Sequence, residues 1–570
     1  PRRLRLTLFL LSAVAVLVAG RLVQVQGFDA SAYADQAKGI RLQEMVLPAE
    51  RGSITDRHGV ELAASVETYR VAVDPLLLRT EGKLPAAAVS LAPLLEEYNP
   101  DVREQLGRTD KHYVVIAKNV PPHAFREIRA VAKEHGIPGI VGELEDRRTY
   151  PAGDLAGSVV GYVNAEGHGS AGIELSQDGV LAGTDGLQVY EQSSGRTIPA
   201  AASQQRDPVP GRDVELTLDR DIQYAAQQAI TAQVAASGAV SGNVIVMRPT
   251  GEILALATSP SVDPNDVGET PEDQRGNPAV SDVYEPGSTA KVITASAGID
   301  TGALTPETVF DIPGSLARAG ETFNDSSSHA GELLTFAGVI AKSSNIGTIL
   351  ASEMMPTQTL EDYHRRFGIG EQTDLGLQGE SRGILPSLEQ WSGSQRYTIP
   401  FGQGYSVNSI QMASVYATIA NGGVRVQPHL VNSYRAADGT VERMATPRST
   451  RVISAEAART VTSMLEGVTG PEGTAKRVAI DGYRIAGKTG TAQRVGASGA
   501  YDGYTSSFIG FAPADAPQVV VSVVLQDPKN GHSGGALAGP VFSHVTGFAL
   551  QALKVPPTGT EAPGLRLTAE

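Results

Sequence analysis

The chain has 570 residues, enough for two or three domains at about 100–200 residues each. Asp and Glu number 62 against 47 Lys and Arg, and the formal charge of −15 argues against a nucleic-acid binder. Cysteine is absent, which removes disulfides, thiolate catalysis, cysteine-zinc sites and cysteine lipidation, and suits a protein working outside the cytoplasm.

Arg2, Arg3 and Arg5 precede an apolar run over 6–20; Arg21 interrupts it, and Leu22, Val23 and Val25 continue it. A membrane span needs about 20 residues, and the flanks supply the remainder if Arg21 snorkels to the interface. Residues 1–5 are therefore expected to form a cytoplasmic tail and 6–25 an anchor, with the arginines holding the N-terminus inside. A cleaved signal peptide has the same shape. Ala13-Val14-Ala15 falls in the middle of the run, however, and Val18-Ala19-Gly20 is followed by a charged residue.

Residues 27–45 read as a polar helix or linker. Asp56 to Gly59 has hairpin-turn chemistry. Strands are expected at 69–74 and 113–116, and helices at 80–94 and 124–134. From 147 to 195 the chain is rich in glycine. Gly167, Gly169 and Gly172 match Gly-x-Gly-x-x-Gly by letter, but no helix opens there and no βαβ unit surrounds them, so a nucleotide site is rejected. Glu174 and Glu191 read as ion-pair or surface residues. His58, His112, His168 and His429 are scattered without ligand spacing, so neither a metal nor a cofactor is expected.

The second half opens with an alternating strand at 213–218, after which Asp219 caps a helix to about residue 233. Ile222, Ala225, Ala226 and Ala229 form its apolar face. Strands at 243–247 and 253–257 join through Arg248-Pro249-Thr250-Gly251-Glu252 as an antiparallel hairpin. Three more strands are expected at 488–492, 506–511 and 519–525, with helices at 333–342, 345–352, 360–367 and 410–419 between. A sheet split around a helical portion gives an α/β, mostly antiparallel architecture. Residues 556–570 lack periodicity and read as a flexible tail.

Within this frame Ser288 and Lys291 lie three residues apart, after Pro286-Gly287 and at the start of an alanine-rich helix-compatible run. That spacing puts both on one helix face, as a serine nucleophile with a lysine base requires. Alone, the tetrad is more often a solvated helix face. Two later pieces change the weighing: Ser343-Ser344-Asn345, 55 residues beyond Ser288, and Lys488-Thr489-Gly490, 145 residues beyond Ser343. His532, in a glycine-rich stretch, reads as a loop residue because the Ser/Lys pair already supplies the chemistry.

The ordered motifs Ser-x-x-Lys, Ser-x-Asn and Lys-Thr-Gly resemble the signature of penicillin-recognising serine acyltransferases. With the arginine-glycine stretch 51–63, Asp219-Arg220-Asp221-Ile222-Gln223 and the segment 401–423, the chain resembles a class B high-molecular-weight penicillin-binding protein of actinobacterial kind from Arg5 to about Leu553. The resemblance implies a pedestal, dimerisation-type domain at 26–212. It also implies a penicillin-binding transpeptidase fold at 213–555, with a five-stranded antiparallel sheet flanked by helices.

The activity implied is a monofunctional peptidoglycan D,D-transpeptidase inhibited by β-lactams. Ser288 is then the nucleophile, Lys291 its base, and Ser343 the proton shuttle to the leaving nitrogen. Asn345 would hold Lys291 and a substrate amide. Lys488, Thr489 and Thr491 would face the substrate carboxylate. The backbone N–H groups of Ser288 and Thr491 would form the oxyanion site, and Gly490 would let the substrate approach the strand. Implied partners are stem peptides, β-lactams, and a membrane-embedded glycan polymerase with other cell-division proteins; the catalytic domain would lie outside the membrane.

Two residues bear on how closely the motifs fit: His58 stands where asparagine is more usual, and Ser344 occupies the free position of the second motif. Arg21-Leu22-Val23-Gln24 leans toward a division rather than an elongation role. A D,D-carboxypeptidase or a β-lactamase-like hydrolase, the latter needing a glutamate such as Glu371 or Glu380, are the alternatives.

Overall fold

Valine-rich runs with no polar alternation suit strands covered on both faces, and they form the central sheet. In the computed structural model, which describes residues 2–28, 42–193, 196–197, 204–496 and 499–569, five antiparallel strands lie in the order Ile253–Ser259, Ser241–Met247, Val519–Gln526, Tyr501–Ala512, Ala486–Val495. The two strands before the helical portion and the three after it thus meet in one sheet. Helices Arg220–Ser237 and Gly534–Ala552 cover one face, where Phe508 packs on Phe542 with ring centroids 4.6 Å apart. On the other face runs Ser409–Ala420, buried almost throughout, with Lys291–Asp300 and Ala455–Thr469 packed beyond it.

The Asp219 cap is present: its carboxylate accepts from the N–H groups of Asp221 and Ile222. The expected helix over 333–342 begins only at Phe336. Residues Gly331–Thr335 instead form a strand paired with Val309–Pro313, and the Thr335 hydroxyl caps the helix by accepting from Gly338 N–H. The expected helix over 80–94 is three short ones, Pro75–Thr80, Leu84–Ser90 and Ala92–Leu95. Gly82 turns between the first two in the left-handed region, and Pro85 and Pro93 can sit only in a first turn. The strand expected at 69–74 is longer, Glu61–Val73, and pairs along its length with Ile140–Thr149.

The tail is a correction. It has no helical or strand periodicity, yet it is docked. Tyr483 donates to the carbonyl of Val555 and Thr558 to Asp515. Leu565 and Leu567 pack on the core, Thr568 bridges to Leu334, and Ala569 N–H donates to the carbonyl of Leu333. Backbone pairing of this kind leaves no mark on side-chain spacing.

By packing, the chain forms two units, residues 1–51 with 182–211, and residues 52–181 with 212–570. The first holds the helix Arg2–Val23, continued to Phe28, and a small sheet. In that sheet Leu42–Leu47 pairs antiparallel with Gly186–Ser193, so the polar helix or linker read over 27–45 ends in a strand; 29–41 lie outside the described residues, as does 195. The stretch Arg2–Gly27 is long and apolar enough to cross a membrane. In the second unit Ile54–Thr55 pairs with Asp213–Leu216, so packing does not break at 212–213. A separate apolar core, including Val71, Leu78, Ile116 and Ile128, sits under the Glu61–Val73 strand. Glu174 makes an ion pair with Arg148 at 2.7 Å, both side chains all but removed from solvent.

Candidate active site

Ser288 lies in the one-turn 3-10 helix Gly287–Ala290, which runs into the α-helix Lys291–Asp300. Three contacts seat this turn. Gly287 N–H donates to the Gly402 carbonyl at 2.9 Å, the Thr289 hydroxyl donates to the Pro286 carbonyl, and Tyr416 donates to the Thr289 carbonyl. Gly402 has φ +91°, and a Cβ there would meet Gly287 O at 2.0 Å, so the 401–404 segment closes on the serine turn only with glycine.

Ser343 ends the helix Phe336–Lys342 with φ 62°, a left-handed conformation uncommon for a residue with a side chain. It stands between that helix and Asn345–Glu353, which Ser344 caps by accepting from Gly347 N–H. The junction expected from sequence is therefore real, and its strained residue is the motif serine. Lys488 projects from the edge strand Ala486–Val495.

These side chains converge. Lys291 Nζ donates to the Ser343 carbonyl at 2.6 Å and to Asn345 Oδ1 at 2.8 Å, and lies 3.3 Å from Ser343 Oγ. Lys488 Nζ reaches the same Ser343 Oγ at 2.8 Å, with the Thr489 carbonyl at 3.2 Å and hydroxyl at 3.4 Å. Both lysines are wholly buried. Burial pushes the Lys291 amine down to about 7, against the opposing pull of the Asp325 carboxylate. Burial, then repulsion from Lys291, pushes Lys488 well below the ordinary lysine range. A buried amine of this kind can take a hydroxyl proton near neutral pH.

Thr489 Oγ1 also meets Thr474 Oγ1 at 3.1 Å, and Thr491 Oγ1 accepts from Gly534 N–H at 3.1 Å. A Cβ on Gly490 would meet Ser507 Oγ at 2.3 Å and Thr289 Cγ2 at 3.0 Å, so the missing side chain leaves room for Ser507 and the serine turn.

Asp325 was missed by the motifs. Its carboxylate accepts from Ser344 Oγ and from the N–H groups of Asn345 and Ile346. No local pattern marks it, because it arrives from a hairpin connection. Glu285, half-buried, accepts from Gly404 N–H and Tyr501 OH, and burial raises its pKa. The two glutamates a hydrolase would have to recruit are engaged elsewhere. Glu371 pairs with Arg425, and Glu380 accepts from Thr373 and Leu375. His532 stacks on Tyr504 in its loop.

An antiparallel sheet with helices on both faces, two buried lysines meeting on a motif serine, and a second motif serine one turn before Lys291 in the chain suit a serine acyltransferase. Residues 242–547 match the penicillin binding protein transpeptidase domain, and 46–216 match the penicillin-binding protein dimerisation domain. The penicillin-binding protein PbpB of Mycolicibacterium smegmatis is 37% identical over 98% of this chain and 91% of its own length. The peptidoglycan D,D-transpeptidase FtsI of Escherichia coli is 33% identical over 96% and 90%. Penicillin binding protein 3 of Mycobacterium tuberculosis, solved with ampicillin, aligns with a TM-score of 0.73 and 35% identity over 92% of this chain and all of that one. The chain belongs to the class B penicillin-binding proteins.

Proposed function

We propose that this transpeptidase cross-links peptidoglycan stem peptides through an acyl-enzyme on Ser288. The observation that carries the reading is the meeting on Ser343 Oγ of Lys488 and of Lys291, which follows Ser288 by one helical turn in the chain. Neutral Lys291 takes the Ser288 proton as Oγ attacks the carbonyl of the penultimate D-alanine of a donor stem. The oxyanion faces the backbone N–H groups of Ser288 and Thr491. Ser343 relays a proton to the leaving nitrogen, the C–N bond breaks, and D-alanine departs. An amine from a neighbouring stem then attacks the ester, its proton leaves through the same relay, and Ser288 regains its own.

Asn345 holds the Lys291 amine and a substrate amide. Lys488 and the hydroxyls of Thr489 and Thr491 capture the substrate carboxylate, and Gly490 lets the substrate backbone approach the strand. β-Lactams, which pair a strained amide with a carboxylate, trap the same serine. The test is intact-protein mass spectrometry after incubation with benzylpenicillin, followed by peptide mapping. A single adduct on the peptide carrying Ser288 supports the mechanism, and an adduct elsewhere refutes it.

The wider reading places residues 1–5 in the cytoplasm and 6–25 in the membrane. Residues 26–212 form a pedestal outside the membrane, and 213–555 form the catalytic domain. The same reading gives the chain a septal role beside a membrane-embedded glycan polymerase, toward which Arg21-Leu22-Val23-Gln24 leans. Depletion should give filaments or failed septa; bulged cells that still divide would move the assignment to elongation.

A further inference from the structure

Asp325 lies on the 324–330 connection between the strands Glu321–Phe323 and Gly331–Thr335. Its Oδ1 accepts from Asn345 N–H at 2.5 Å and Ile346 N–H at 3.0 Å. Its Oδ2 accepts from Ser344 Oγ at 2.7 Å and lies 3.2 Å from His329 Nε2. The carbonyl of its neighbour Asn324 accepts from Asn345 Nδ2. The carboxylate is 9% exposed, and the Nδ1 of His329 is buried without a partner. That imidazole therefore sits naturally with its proton on Nε2, donating to Asp325. Two N–H groups in the first turn of Asn345–Glu353 thus end on one carboxylate, and the amide oxygen of Asn345 holds Lys291.

We propose that Asp325 is a positioning residue for the acyl transfer. Its carboxylate seats the 343–346 turn and sets a negative charge against the buried Lys291 amine, with His329 holding its orientation. The inference rests on the acyl-enzyme reading above. The need is electrostatic. Two amines reach one hydroxyl from opposite sides, at 3.3 and 2.8 Å, inside a dry site. The Asp325 carboxylate pulls against the burial that lowers Lys291, so without it that amine would give up its proton at still lower pH.

Several charged groups surround Lys291. Lys488 faces it from the edge strand, and Asp325 and His329 from the 324–330 connection. The others nearby are already partnered: Asp300 with Tyr363, Lys342 with Glu332, and Glu285 with Gly404 and Tyr501.

The deciding variant is Asp325→Asn. Its amide oxygen can keep both backbone N–H donors, and its amide nitrogen can serve Ser344 and the other His329 tautomer, so shape is retained and charge removed. The rate of acylation by benzylpenicillin is followed against pH by intact mass, with thermal melting as the check on folding. Ser344→Ala is the companion, since it loosens the seat but leaves the charge. In Asp325→Asn the acid limb of the acylation profile should move to lower pH by about 0.5 unit or more. In Ser344→Ala the limb should stay in place. A folded Asp325→Asn whose limb matches the parent protein overturns the proposal, as does an equal shift of the limb in Ser344→Ala. Absence of an adduct on Ser288 in the unmodified protein would instead overturn the acyl-enzyme reading.

Discussion

Lys291 carries two opposed demands. It must be buried to be neutral near pH 7, and burying an amine costs stability whenever it is charged. Its folded pKa of about 7 lies below the ordinary 10.5. Between those values the unfolded chain binds more protons, so stability rises with pH across the window, and the burial penalty is fully present below 7. Lys291→Met should therefore flatten the increase of the denaturation midpoint between pH 7 and 10 while abolishing rapid acylation. An unchanged slope would mean that Lys291 is not depressed in the fold.

Acylation itself should fall about tenfold per pH unit below 7, as the amine takes up its proton, and level off above. Stopped-flow acylation across pH 5 to 9 checks this. Ser288→Ala should remove the adduct and change stability by no more than about 1 kcal/mol, because the side chain is only half-buried and caps nothing. Spacing put Ser288 and Lys291 on one helix face, and the resemblance carried by the three ordered motifs added Ser343, Asn345 and Lys488. Asp325 was not legible, since its partners lie 19 to 21 residues away and meet it only after a hairpin folds.

At the scale of elements, the central-sheet strands and the Asp219 cap could be read from the chain, whereas the Gly331–Thr335 strand, the Thr335 cap and backbone-only partnerships could not. Asp219 declared its helix and the valine runs declared the sheet. The tail at 565–569 declared nothing, because what it gives the fold is carbonyls and N–H groups. Thr335 N–H donates to the Leu567 carbonyl at 3.0 Å and Thr335 Oγ1 to the Arg566 carbonyl at 2.6 Å, at the start of the helix that ends in Ser343. A Cβ on Gly338 would meet Leu567 O at 1.9 Å, so the tail and helix fit only while that position stays bare. Gly338→Ala should expel the tail and cost about 1–3 kcal/mol through the stranded polar groups of Thr335. Limited proteolysis is the measure: new cleavage within 556–569 is expected, and continued protection would show that the tail does not depend on this contact.

For the molecule as a whole, two facts of sequence bear on the topology proposed above: arginines crowd the start, and the described helix after them is apolar on every side. The stretch Arg2–Gly27 is wholly unburied and is long and apolar enough to cross a membrane, and Arg2, Arg3 and Arg5 are what would hold its N-terminus inside. In the proposed role, glycan strands reach the chain from another membrane enzyme, and the anchor and the segment after Arg51 are proposed for that contact.

The expected outcome has two arms. In spheroplasts, added protease should degrade the bulk of the chain and leave a small membrane-embedded fragment; degradation only after lysis would reverse the topology. Purified in detergent, the full chain should retain a glycan polymerase and a form lacking residues 46–200 should lose it, while a Ser288→Ala chain should keep it, because that contact lies away from the chemistry.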